Sequence, residues 1–128
     1  MADEVTTTDV EIHSVLTSTK KFIGPSADYD AFDHEILVSI NSAFSTLYSV
    51  CKLGGEKPLK INGPDEEWED LGIDEVCLDL IKDYVWKKVR LSFDPPNNSF
   101  LIDNLKTQLA ELEWRIYEVL NDYLPDVH

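Results

Sequence analysis

Basic residues are scarce in this chain: 11 Lys and Arg stand against 25 Asp and Glu in 128 residues, for a formal net charge of −14. A field of that sign repels phosphate, so ordinary DNA binding through a basic surface is disfavoured. It does not exclude contact with DNA that has to slide past without adhering.

Long apolar runs and a basic N-terminal region are also missing. No run approaches the roughly 18 to 20 apolar residues that span a bilayer. The first residues, MADEVTTTDVE, are acidic where a secretory signal peptide carries positive charge. We therefore expect no membrane contact, and residence in the cytoplasm where the chain is made.

Cysteine and histidine are too few and too scattered to indicate a metal site or a catalytic pair. Cys51 and Cys77 fall within apolar helical patterns, which predicts two buried thiols in a reducing compartment and no disulfide. His13, His34 and His128 lack metal-ligand spacing, and no phosphate loop, nucleophile elbow or HExxH helix is present. We predict no metal, no cofactor, no catalytic residue and no enzymatic activity.

What the chain has is enough apolar sequence for one core. Its hydrophobic content is 43%, with 10% aromatic residues, which favours a packed domain over disorder. At this length a single domain over residues 1–128 is expected. Within it we predict a loose N-terminal arm at 1–9 and an acidic loop at 54–72.

Helical periodicity dominates the pattern and predicts an all-α, four-helix bundle-like fold. The predicted helices are Val10–Ile23, His34–Leu53, Asp74–Phe93 and Ser99–Tyr123. Apolar residues of the third cover more than one stripe, so it should be the central helix. The fourth carries a heptad seam. Its members are Leu105, Leu109, Leu112, Ile116, Val119 and Tyr123.

The expected helix ends follow from local side chains. Asp30 or Asp33 can cap the second helix, and Gly54-Gly55 can supply its left-handed stop. Asn97, Asn98 or Ser99 can cap the fourth helix. In the acidic loop, alternation around Lys60 allows at most a minor strand, and Trp68 is expected to pin the loop to the core.

The end of the third helix is unusual for so acidic a chain. The helix carries Lys82, Lys87, Lys88 and Arg90, and the last three lie close to its C-terminal end, where they can compensate the helix dipole on a solvated face. Asp94, Pro95 and Pro96 then stop the helix, because proline disfavours helical geometry before it and donates no backbone hydrogen bond. We predict a fixed corner between the two longest helices.

Three aromatic residues lie beside the apolar seams rather than within them. They are Trp86 on the third helix, and Trp114 and Tyr117 on the fourth. Off-seam aromatics indicate a second buried surface, although tryptophans at the edge of a core give the same pattern.

The segment from DLIKDYVWKKVR to ELEWRI resembles short proteins from the structural gene clusters of tailed bacteriophages, the head–tail connector (adaptor or head-completion) family. The matching motif contains Tyr84, Lys88-Val89-Arg90, Phe93-Asp94-Pro95-Pro96, Ser99 and Glu111-Leu112-Glu113-Trp114-Arg115. The N-terminal half fits the same family at Ile12 to Lys21, Phe32 to Ile36, Ile40 to Leu47 and Asp70 to Gly72. The acidic segment 55–71 departs from that pattern, and no role carries over to it.

The resemblance implies a structural virion protein of the neck, assembled in the host bacterial cytoplasm. It implies a homo-oligomeric ring, twelve-fold to match the portal, beneath the portal and around the DNA exit channel. Its other partner would be the next neck or tail-completion protein, and transiting DNA would touch it without specificity. The predicted subunit or portal interface consists of Trp86, Lys87, Lys88, Arg90, Trp114, Arg115 and Tyr117.

A rival hypothesis is a small acidic inhibitor that mimics DNA and occupies a basic partner. The net charge supports it, whereas the heptad seam and the fixed corner do not. A mimic should be a monomer or dimer that binds one to one.

Overall fold

A computed structural model of the chain describes residues 13–24, 30–93 and 95–121. Its four α-helices in that part of the chain are α1 (Val15–Ile23), α2 (Asp33–Cys51), α3 (Glu75–Phe93) and α4 (Ser99–Asn121). Short 3-10 turns occur at Asp30–Phe32 and Trp68–Leu71. The described residues contain no β-strand, only an isolated bridge between Ser14 and Glu67. The predicted all-α, four-helix bundle-like fold is confirmed, and the minor strand allowed for in the loop does not form in this part.

Helix α3 packs against α1, α2 and α4, as its double apolar stripe predicted. Its buried residues include Ile81, Tyr84, Val85 and Val89. Opposite them lie Ile36, Ile40, Phe44 and Leu47 of α2, and Leu105, Leu109, Leu112 and Ile116 of α4. The heptad seam of α4 is therefore confirmed as a core stripe from Leu105 to Ile116. Val119 is half-buried, and Tyr123 lies outside the described residues.

Polar caps set two of the helix starts. Ser14 Oγ accepts a hydrogen bond of 3.1 Å from the Thr17 N–H, so α1 begins at Val15 rather than at the predicted Val10. Residues 10–12, and the predicted arm at 1–9, lie outside the described residues. Asn98 Oδ1 accepts from the N–H groups of Phe100 and Leu101, as predicted for α4.

The predicted ends of α2 were wrong at the level of single residues. Its N-cap is Phe32, whose side chain has no acceptor for a capping bond, and the Asp33 carboxylate is paired with Lys20 at 2.6 Å. Its C-cap is Lys52 in the left-handed region at φ 62°. The Lys52 ammonium lies 5.0 Å from the centroid of the Tyr48 ring, a cation–π contact one turn back along the chain.

Trp68 fastens the acidic loop to the bundle, as predicted. The side chain is 1% exposed, and its indole N–H donates a 3.0 Å hydrogen bond to Ser18 Oγ on α1. Its ring meets those of Phe44 and Trp86 edge-on. Asn41 adds a second attachment by exchanging two 2.9 Å hydrogen bonds with the Ile61 backbone. The loop is therefore held to the bundle before its acidic run, at Ile61, and within that run, at Trp68.

Candidate assembly interface

The most prominent aromatic feature of the surface lies on α4. The rings of Trp114 and Tyr117 stack with centroids 6.0 Å apart and planes inclined by 7°. Trp114 is 58% exposed and Tyr117 40% exposed, while their neighbours Leu112 and Ile116 are buried against the bundle. The pair thus lies on the face of α4 that its own chain leaves uncovered, where a second protein could bury it.

Arg115 lies between the two rings in sequence and is itself exposed. Its Nε lies 3.8 Å from Glu111 Oε2, one turn earlier on α4. A pair this exposed adds little to folding stability. Arg115 is therefore available to a carboxylate of a partner on the same exposed turn of α4.

Trp86 is placed differently from Trp114. It is half-buried, with its ring stacked on Phe22 at 5.3 Å and edge-on to Trp68 at 6.4 Å. Its indole N–H is buried without a hydrogen-bond acceptor in the described part of the chain. Trp86 thus lies between the rings of Phe22 and Trp68 at the edge of its own core, with part of its surface left to a partner.

The basic residues near the end of α3 do not form one uniform patch. Lys87 Nζ lies 3.1 Å from Asp83 Oδ2, and Lys88 Nζ lies 5.9 Å from the centroid of the Tyr84 ring. Lys82 Nζ lies 5.8 Å from the Trp68 centroid. Arg90 is exposed in the last turn of α3, where a cation is favoured by the helix dipole.

The corner lies where the prolines predicted it. Helix α3 ends at Phe93 and α4 begins at Ser99. Asp94 lies outside the described residues, Pro95 is exposed and Pro96 is half-buried. Pro96 lines a groove between α3 and α4 together with Lys87 and Arg90. The structure therefore places the corner beside two of the predicted interface residues, while Trp114, Arg115 and Tyr117 lie farther along α4.

Sequence reasoning missed several exposed apolar residues. Phe100 is 73% exposed at the start of α4, and Leu101 follows it. Both precede the first seam residue, Leu105, and that position was a signal available in the sequence. Phe22, near the end of α1, is also partly exposed and lines the same groove as Leu101.

The two cysteine thiols, at Cys51 and Cys77, are buried. Burial raises the pKa of the Cys51 thiol to about 11, with further contributions from Glu113 and Cys77. Burial likewise raises the pKa of Cys77, and both cysteines are free. In the described ranges no cluster of three or more His, Cys, Asp or Glu residues could hold a metal ion. No described helix is both long and apolar enough to cross a membrane.

A helical subunit that leaves an aromatic pair on its outer surface is typical of proteins that assemble with other chains. The family model for phage connector proteins matches residues 15–121, most of the chain, and the chain belongs to that family. The predicted family is confirmed, and with it a structural role as a connector among the phage proteins. Neither a curated protein nor a solved structure gave a significant match.

Proposed function

We propose that this connector forms a homo-oligomeric ring beneath the portal, around the channel through which DNA leaves the head. The observation that carries the proposal is the exposed Trp114–Tyr117 stack on α4 of a phage connector protein. Stacked aromatics are rigid and largely apolar, and they supply much of the binding energy where they become buried between proteins. Arg115, exposed on the same turn of α4, adds a cation that can pair with a carboxylate of the partner.

The remaining predicted interface residues belong to the same proposal. Trp86, Lys87, Lys88 and Arg90 lie on or near the surface that α3 leaves beside the corner. With two surfaces, one along α4 and one at the corner, a subunit can contact a neighbour on each side and the portal or the next neck protein at its ends. Twelve subunits would match the symmetry of a portal.

The net charge of −14 suits a protein through which DNA passes. A negative lumen takes up few phosphate contacts, so it releases few counterions and adheres weakly to DNA. Lys87 and Lys88 already contact Asp83 and the Tyr84 ring, which supports a role in protein contacts over DNA binding.

Mass measurement tests the proposal. The purified chain is examined alone and with purified portal by native mass spectrometry and sedimentation velocity. We expect ring-sized homo-oligomers, alone or on the portal, and negligible binding to duplex DNA at about 150 mM salt. A chain that remains a monomer in both conditions, or that binds a basic partner one to one, would refute the ring. Tight, salt-sensitive duplex binding would contradict the assignment of the basic residues.

A further inference from the structure

A groove of about 230 Å³ lies at the corner between α3 and α4. Phe22 of α1 and Leu101 and Leu105 of α4 give it apolar walls, and Lys87 and Arg90 of α3 contribute two cations. The amides of Asn104 and Gln108 complete the α4 side. A groove of this composition fits a ligand that combines an aliphatic side chain with carboxylates.

The charge of the molecule restricts what can enter this groove in an assembly of identical subunits. Two copies that each carry −14 repel one another overall, so an attractive contact needs local charge of opposite sign. Lys87 and Arg90 provide the positive side of such a contact. The negative side has to be an acidic surface that also carries an apolar side chain for the groove.

The opposite end of α3 has that composition. Val76, in its first turn, is 63% exposed although it is aliphatic. Glu75 and Asp79 are exposed, and Asp79 is a surface neighbour of both Val76 and Glu75, which precede it by three and four residues. Asp74 precedes them and is exposed as well, with its carboxylate accepting a 2.9 Å hydrogen bond from the Val76 N–H. We call Asp74, Glu75, Val76 and Asp79 the acidic tip.

We propose that the acidic tip of one subunit docks into the corner groove of the next, with Val76 against the apolar walls and its carboxylates near Lys87 and Arg90. The inference rests on the proposed ring and names the pair of surfaces that would join neighbours. The two surfaces lie at opposite ends of one helix, about 28 Å long at 1.5 Å per residue. The contact is therefore head-to-tail, and such contacts build closed rings when the rotation between subunits closes.

Two charge-reversed variants test this pairing. The groove variant carries Lys87→Glu and Arg90→Glu, and the tip variant carries Glu75→Lys and Asp79→Lys. Each alone brings like charges together, so each is expected to weaken self-association by at least about tenfold. An equimolar mixture restores opposite charges at every junction, so the two variants should co-assemble to within about threefold of wild type. Sedimentation velocity measures this in the condition in which the wild type assembles, alone or on portal.

Controls separate this contact from general effects of charge and from loss of fold. Lys60→Glu with Lys106→Glu changes the net charge as much as the groove variant does, at exposed sites outside the groove, and should leave assembly unchanged. Circular dichroism must show wild-type helix content in every variant. Should the groove variant misfold because Lys87 is paired with Asp83, Arg90→Glu alone replaces it, mixed with Asp79→Lys.

The outcomes distinguish this inference from the ring itself. Assembly lost in each variant and regained in the mixture supports the pairing. Wild-type rings that neither variant weakens, or variants that stay apart when mixed, overturn the pairing and leave the ring standing. A groove variant that forms normal rings but no longer binds portal would show that the groove takes an acidic segment of the portal instead. A wild-type chain that assembles under no condition refutes both.

Discussion

The Tyr84 hydroxyl on α3 donates a 2.7 Å hydrogen bond to Glu113 Oε2 on α4. Tyr84 is fully buried and Glu113 half-buried, so the bond joins α3 and α4 inside the bundle. Burial, followed by this bond, raises the pKa of Tyr84, which keeps the phenol protonated and donating. The contact joins the tyrosine of the motif to the second glutamate of ELEWR, 29 residues later.

Tyr84→Phe should therefore destabilise the protein although the ring remains in place. The substitution leaves the Glu113 carboxylate without its buried donor, at a cost of about 1 to 3 kcal/mol. Urea unfolding of the variant measures the loss. Tyr117→Phe, which removes an exposed hydroxyl, is the matched control and should change stability by less than about 0.5 kcal/mol. Equal effects for the two variants would show that the Tyr84–Glu113 bond contributes nothing.

Gly54 follows the end of α2 at φ +105°, and a Cβ there would clash with the carbonyl oxygen of Lys57. Gly54→Ala should cost roughly 1 to 3 kcal/mol, because both backbone strain and the clash oppose it. Gly55→Ala shares the positive φ without the clash, and Gly63→Ala has neither. Thermal melts should rank the losses in the order Gly54, Gly55, Gly63. A Gly54 variant as stable as the Gly63 variant would refute the steric argument.

Pro95 and Pro96 lie between α3 and α4, and Pro96 also lines the corner groove. Replacing both with alanine removes the restriction on φ and allows α3 to extend past Phe93. We expect a variant that remains helical by circular dichroism but fails to assemble, because the angle between the helices is no longer fixed. Normal rings from this double variant would show that the corner tolerates flexibility.

The buried thiols predict a loss of stability in alkali. Burial raises the pKa of Cys51 above its usual 9.0 to about 11, so the folded state holds the proton more tightly than the unfolded state. The resulting stabilisation is complete below pH 9 and disappears as the pH rises to 11. By pH 10 roughly 1 kcal/mol should be lost at this site. In urea unfolding, the double variant Cys51→Ala with Cys77→Ala should lose less free energy of unfolding between pH 8 and pH 10 than the wild type loses. Parallel declines would locate the effect elsewhere, for example at Tyr84.

The sequence was sufficient to predict the elements whose signal is periodic. The four helices, the seam of α4 and the corner depend on spacing and on proline, and these are local properties of the chain. Helix ends were less predictable, because Asp33 pairs with Lys20 of α1 instead of capping α2, and α2 stops at Lys52, a non-glycine residue in the left-handed region. The partner of Asp33 lies on another helix, and local periodicity carries no information about such a contact.

The candidate interface likewise contains some residues whose position follows from local sequence and others whose position depends on tertiary packing. That Trp114 and Tyr117 lie off the seam was visible in the sequence, and the structure places both outside the bundle. Trp86 has the same off-seam position, yet it packs on Phe22 of α1, a residue 64 positions away. The corner groove was not predictable, because it combines residues of three helices. The periodicity of each helix does not say how the three pack together.

Trp114→Ala should separate folding from assembly. Because Trp114 is 58% exposed and contacts Tyr117 on its own helix, its removal leaves no cavity in the core. Truncating a core tryptophan costs about 3 to 5 kcal/mol of folding stability. Truncating an interface tryptophan typically costs about 2 kcal/mol or more of association free energy. We therefore expect a variant that melts cooperatively near the wild-type temperature but no longer joins a ring or binds portal.

Trp68→Phe is the opposite control for that experiment. Trp68 is 1% exposed and donates to Ser18, so its substitution should lower the melting temperature while the folded fraction still assembles. The two variants thus predict opposite patterns in calorimetry and sedimentation. If Trp114→Ala lost its cooperative melt while the remaining folded protein assembled normally, the aromatic pair on α4 would be part of the fold, and the subunit contact would have to involve another surface.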